Sequence, residues 1–138
     1  MTLHQRGRAV AERIWRAALD AVRPERILPA WIQREADSVQ IAGVPWSRSC
    51  GGRLRVLAIG KASDAMARAA AQLAGDLVHD GLIVTKSGHA DRSSSSHFEV
   101  VEASHPVPDS RSLAAAARVR SFLAGGRRSD LVLLLLSG

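Results

Sequence analysis

The stretch Leu54-Arg55-Val56-Leu57-Ala58-Ile59-Gly60-Lys61-Ala62-Ser63 decides the fold. Its first six residues are β-branched or aliphatic apart from Arg55, and the run stops at Gly60, the pattern of a short buried strand. Behind it, Lys61–Ala74 is alanine-rich, with Met66, Ala70 and Leu73 on one face and Gly75 closing it, which predicts a helix. A strand that turns at a glycine into a helix is the opening unit of an α/β sheet.

The residues downstream extend that unit. Leu82–Thr85 reads as a second strand, followed by the polar loop Lys86–Ser96, whose run Ser93–Ser96 is expected to be a mobile surface loop. Phe98–Glu102 reads as a third strand. Pro106 and Pro108 then impose an extended turn, and Asp109 or Ser110 can cap a helix over Arg111–Leu123 that ends at Gly125-Gly126. Leu131–Leu136 is a fourth strand, apolar on both faces and so expected to be buried on both. Strand, helix, strand, strand, helix, strand predicts an α/β fold: an open, mostly parallel, Rossmann-like sheet of about four strands with flanking helices. The link between the second and third strands departs from the scheme, since it holds a serine loop and no helix.

Upstream, Leu3–Val22 carries Val10, Ile14, Ala18 and Val22 at helical spacing. Pro24 can open a short second helix running toward Gln33 with a break near Pro29, and Ser38–Ala42 alternates weakly as a short strand before the loop Gly43–Gly52. The organisation expected is a helical leader with one short strand over residues 1–52 and a partial Rossmann-like domain over 53–138, incomplete as an N-terminal domain.

Composition narrows the function classes. The chain has 138 residues, 46% of them hydrophobic and only 4% aromatic, so its core must be built from Ala, Val, Leu and Ile. Net charge is +6, and apart from Lys61 and Lys86 every basic residue is an arginine. The excess lies in the leader, spaced along it and mixed with Glu12, Asp20 and Glu25, which reads as a solvated helix face and not as a nucleic-acid footprint. A lone Cys50 excludes an internal disulfide and a thiolate zinc cage. The charged N-terminus has no signal-peptide core, and Leu131–Leu136 is far too short to span a bilayer, so the expectation is a cytoplasmic protein without membrane partners.

Ligands of open α/β sheets gather at the carboxyl ends of the strands, where every unusual residue of this chain falls. Gly60-Lys61-Ala62-Ser63 places a lysine at a helix N-terminus, whose free N–H groups already favour an anion. A cation there is locally unfavourable unless an anion joins it. The spacing is not that of a Walker loop. Ser63, as a cap, and Asp64, at the positive end of the helix dipole, are expected to be structural. Thr85-Lys86-Ser87-Gly88-His89 ends the second strand with another lysine, a glycine and hydroxyls. After the third strand, Ser104-His105-Pro106-Val107-Pro108-Asp109 holds His105 on a proline-stiffened turn. Ser137-Gly138 ends the fourth.

These stretches together resemble the glycerate 2-kinase family, which also carries the name hydroxypyruvate reductase and whose C-terminal half is called the MOFRL domain. The resemblance rests on Val56–Ala62 (VLAIGKA), Gly81–Lys86 (GLIVTK), His105–Asp109 (HPVPD) and Leu131–Gly138 (LVLLLLSG), in that order. It implies an ATP- and Mg²⁺-using kinase that phosphorylates the 2-hydroxyl of D-glycerate in a cleft between two domains. Lys61 would be the catalytic lysine, with Gly60, Lys86, Gly88, His105, Ser137 and Gly138 lining the nucleotide and substrate site. No Mg²⁺ ligands are identifiable. Family members continue past the fourth strand into a glycine-rich turn and a second domain that supplies an arginine, so the chain is expected to be an N-terminal fragment, inactive alone, whose missing partner is that domain. Two alternatives remain: an oxidoreductase, which would need the G-x-G-x-x-G turn that Gly60–Ala65 lacks, and a non-enzymatic binding module using the basic leader.

Overall fold

The computed structural model describes residues 2–90 and 98–138; the run Ser93–Ser96 lies outside them. Helix α1 (Leu3–Ala21) starts in a reciprocal cap, Gln5 N donating to Thr2 Oγ1 at 3.3 Å and Thr2 N to Gln5 Oε1 at 2.7 Å. Its apolar stripe is open: Val10, Ile14, Trp15 and Leu19 are all exposed, and none of its residues is buried. Helix α2 (Pro24–Ile27) gives way to a 3₁₀ turn (Leu28–Ala30) that contains Pro29, near the expected break, and the run stops short of Gln33, which lies in a strand.

The leader holds more strand than its sequence reveals. Strands β1 (Ile32–Glu35), β2 (Ser38–Ile41) and β3 (Val44–Ser47) form an antiparallel meander in the order β1-β2-β3, where one short strand was expected. Each has only four residues, and β3 contains Pro45, which demotes a strand in any sequence reading. The tight turn between β2 and β3 is Ala42-Gly43, both at positive φ (49° and 83°), a conformation usually announced by Asn-Gly.

The main sheet is fully parallel, in the order β6-β5-β4-β7, with β4 (Leu54–Ile59), β5 (Val78–Lys86), β6 (Phe98–Ala103) and β7 (Leu131–Leu136). Helix α3 (Ser63–Ala74) covers one face and helix α4 (Ser110–Ala124) the other. Beneath α3 lies the larger core, in which Ile32, Val39, Ile41 and Trp46 of the meander join Leu54, Val56, Ala70, Ile83 and Leu135. Leader and sheet thus share one interior. The smaller core under α4 contains Leu57, Leu82, Val84, Ala115 and Phe122. Asp109 caps α4, accepting from Arg111 N at 2.8 Å.

Two ion pairs tie the lower edge. Asp130, its side chain almost wholly covered, accepts from Arg53 N (2.8 Å), Arg53 Nη2 (2.6 Å) and Arg127 N (2.9 Å). Arg55, buried in β4, reaches Asp80 opposite it in β5 at 2.7 Å, donates to the Phe122 carbonyl at 2.8 Å and stacks on the Phe122 ring.

One expectation is corrected. Strand β7 is not buried on both faces, because it is the edge of the sheet in this order. Leu131, Leu133 and Leu135 pack toward α3, but Leu134 and Leu136, on the α4 side, are 51% and 63% exposed. No helix among the described residues is long and apolar enough to cross a membrane.

Candidate functional site

The parallel order carries the ends of β4, β5 and β6 to one rim. There a cleft of about 160 Å³ is lined by Ile59, Gly60, Lys61, Val84, Thr85, Lys86, Ala103, Ser104 and His105. Of the residues singled out from sequence, Gly60, Lys61, Lys86 and His105 therefore meet in one place.

Gly60 makes this possible. It has φ +120°, and its N–H donates to the Val84 carbonyl at 2.9 Å, locking the end of β4 to β5. A Cβ at this position would overlap the carbonyl oxygen and hydroxyl of Ser137, so only glycine fits both the dihedral and the space. Ser137 sits directly beside this turn. Its N–H extends the β4–β7 ladder to the Ile59 carbonyl at 3.0 Å, and its Oγ accepts from Ala62 N at 2.9 Å. The serine after β7 thereby satisfies one of the free N–H groups at the start of α3.

Ser63 does not cap that helix. It is fully buried, and its hydroxyl donates to the Val84 carbonyl at 3.1 Å, stitching α3 to β5. Asp64, buried in the first turn, pairs with Arg68 at 2.7 Å. Both side chains are engaged within the fold, Ser63 through β5 and not through the cap expected of it. Lys61 stands exposed at the mouth and Lys86 is partly covered; neither forms a salt bridge among the described residues. Two ammonium groups converge on a cleft whose lining holds no carboxylate.

Gly88 lies one turn beyond this lining. Its φ is +79°, and its N–H donates to Glu102 Oε1 at 2.8 Å, so that donor is engaged within the protein. Gly138 follows Ser137 with open space around it. On the turn that follows β6, the His105–Pro106 peptide is cis, and Asp109 lies at its end. The Arg111 guanidinium holds the Asp109 carboxyl well below the usual range; the Ser104 hydroxyl adds to this by proximity without a hydrogen bond of good geometry.

Sequence reasoning missed the two hydroxyls of the lining. Thr85 Oγ1 and Ser104 Oγ are both shut off from solvent and make no hydrogen bond of good geometry among the described residues, Ser104 Oγ lying near the Asp109 carboxyl. The only sequence signal was their place at strand ends, beside Lys86 and His105. Among the described residues no three His, Cys, Asp or Glu side chains converge to hold a metal ion.

The profile of DUF4147, a domain of unknown function, matches residues 10–138. Glycerate 2-kinase of Pyrococcus horikoshii is 32% identical over 131 residues, covering 95% of this chain and 28% of that protein. D-glycerate 2-kinase of Thermotoga maritima is 40% identical over 86 residues, or 62% of this chain and 20% of that one. The crystal structure of glycerate kinase from Thermotoga maritima superposes with a TM-score of 0.72 at 29% identity, covering 97% of this chain and 29% of that one. The name hydroxypyruvate reductase also occurs, on Agrobacterium vitis proteins 42% identical over 87 residues, which is 63% of this chain. The chain spans between a fifth and three tenths of the length of the relatives it matches.

Proposed function

Because this chain belongs to the DUF4147 family, we propose that it supplies the lysine-bearing part of a glycerate 2-kinase site, in which ATP phosphorylates the 2-hydroxyl of D-glycerate. The observation that carries this reading is the convergence of Lys61, Lys86 and His105 on one cleft at the carboxyl rim, with no carboxylate in its lining.

In phosphoryl transfer the new P–O bond to the substrate hydroxyl forms as the bond to ADP breaks, and charge builds on the oxygens in flight. A protein accelerates this mainly by holding the partners in line and placing positive charge beside those oxygens. Lys61, on its glycine turn at the start of α3, is the group for the transferring phosphoryl, and Lys86 offers a second charge for an acid or phosphate group. Mg²⁺, when bound with ATP, would supply further charge neutralisation; the described residues bring together no three side chains that could hold it. A cleft of about 160 Å³ is also too small to enclose a nucleotide. The polypeptide that makes up the remaining length of the relatives is proposed to complete the site.

The reductase reading has names among the relatives in its favour. Its dinucleotide turn, however, needs glycines where this chain has Ala62 and Ala65. The test joins this chain to the remaining sequence of the Pyrococcus horikoshii enzyme in place of its matching segment. ADP formation that depends on both ATP and D-glycerate is expected, with no NADH oxidation by hydroxypyruvate. The 138 residues alone are expected to form no ADP; the reverse pattern in either assay would overturn the proposal.

A further inference from the structure

Helix α1 is amphipathic, and its apolar side is open. Leu3, Val10, Ile14, Trp15, Leu19 and Val22 are between 46% and 87% exposed, and no residue of the helix is buried. At 3.6 residues per turn these six fall on one side. The helix is nonetheless made to form, since its reciprocal Thr2–Gln5 cap is complete. Helices in proteins draw most of their stability from packing such a face and little from propensity. Gly7, on the same side, weakens the helix without meeting a neighbour, because a Cβ there would face open space. A long apolar stripe left open marks an interaction surface.

Length and charge point to its occupant. The glycerate kinase structure from Thermotoga maritima superposes on 97% of this chain, and this chain covers 29% of that one. The part left out of the superposition is shorter than α1, so the likeness reaches into the helix, while most of that chain lies beyond it. A lipid surface is a poorer match, because charges on the polar side answer one another. Arg8 pairs with Glu12 at 3.1 Å, and Asp20 pairs with Arg26 at 3.1 Å and Arg23 at 3.6 Å.

We propose that the apolar side of α1 is a docking surface for the polypeptide that makes up the remaining length of the relatives, so that the leader clamps the two parts of the protein together. The docking surface takes from the reading above only that such a polypeptide completes the protein, and not the reaction it performs.

The test is amide hydrogen exchange of α1 in the chain alone and in the joined enzyme, each with and without the double substitution Val10→Lys, Ile14→Lys. Lysine favours a helix at least as well as valine or isoleucine. The double variant of the chain alone should therefore stay helical, with Tm within about 2 °C of wild type. In the chain alone α1 is expected to exchange fast at every protein concentration. In the joined enzyme it should exchange at least tenfold more slowly. The double variant should abolish that protection while β4 stays as protected as in the unsubstituted enzyme.

Equal exchange of α1 in both proteins, or protection that survives the double substitution, overturns the proposal. Protection of the chain alone that grows with its concentration would assign the surface to a second copy. Protection on adding vesicles of equal parts phosphatidylserine and phosphatidylcholine would assign it to a membrane, and either result overturns the proposal too. Should the joined protein not fold, the intact Pyrococcus horikoshii enzyme decides: slow exchange in its first helix upholds the docking surface, and fast exchange refutes it. Protection of α1 in a joined enzyme that forms no ADP would sink the kinase reading and leave the docking surface standing. ADP formation with α1 exchanging fast would do the reverse.

Discussion

At the scale of single residues, the site depends on a glycine more than on any charged group. Gly60 must hold φ +120° while the Ser137 backbone and hydroxyl occupy the space a side chain would need. Gly60→Ala combines backbone strain with overlap against a strand end that cannot move without breaking the β4–β7 ladder. It should destabilise the chain by about 3 kcal/mol, read as a lowered urea midpoint. An unchanged midpoint would mean that the turn is not built as described. Much of this site was legible in sequence, because strand-end glycines and lysines are visible in one dimension. Thr85 and Ser104 were not: whether a hydroxyl is bonded depends on neighbours from other strands. Gly88 illustrates the same limit, since its N–H turns to Glu102.

At the scale of elements, the aliphatic runs located β4, β6 and β7, and glycine and proline punctuation located α3 and α4. Strand β5 begins four residues earlier than its apolar run, at Val78, because Asp80 is paired across the sheet by Arg55. No periodicity reveals such a partner. The meander was hidden by its four-residue strands and by Ala36 and Ala42, alanines at positive φ where turn sequences usually place Asn or Gly. Strand β7 is the element most at odds with its surroundings, an apolar edge with Leu134 and Leu136 uncovered. Edges of that kind recruit other chains. Sedimentation should show concentration-dependent association of the 138-residue chain, and Leu134→Lys with Leu136→Lys should shift it toward monomer with little change in Tm. Equal association of wild type and double variant would show that this edge is not responsible.

At the scale of the whole molecule, acid stability follows from the carboxylates that join distant segments. Asp76 is lowered to about 2 by Arg48 and Arg34, which tie the meander to the end of α3. Asp130 is held lower still, chiefly by its hydrogen bond from Arg53. A carboxyl whose folded pKa is depressed contributes stability above its unfolded value and loses it as pH falls through the folded one. These groups should therefore leave the urea midpoint flat from pH 7 to about 5 and lower it between about 4 and 2. Asp130→Asn should be less stable at neutral pH and show a shallower acid limb. An acid limb as steep as that of wild type would assign the pH dependence elsewhere.

The kinase reading turns on Lys61, and its most direct measurement is steady-state kinetics of Lys61→Met in the enzyme formed by joining this chain to the rest of the Pyrococcus horikoshii protein. A charge that acts on the transferring phosphoryl group is worth most in the transition state, so kcat should fall by roughly a thousandfold while KM for D-glycerate changes little. A kcat within a few-fold of the unsubstituted enzyme would contradict the account.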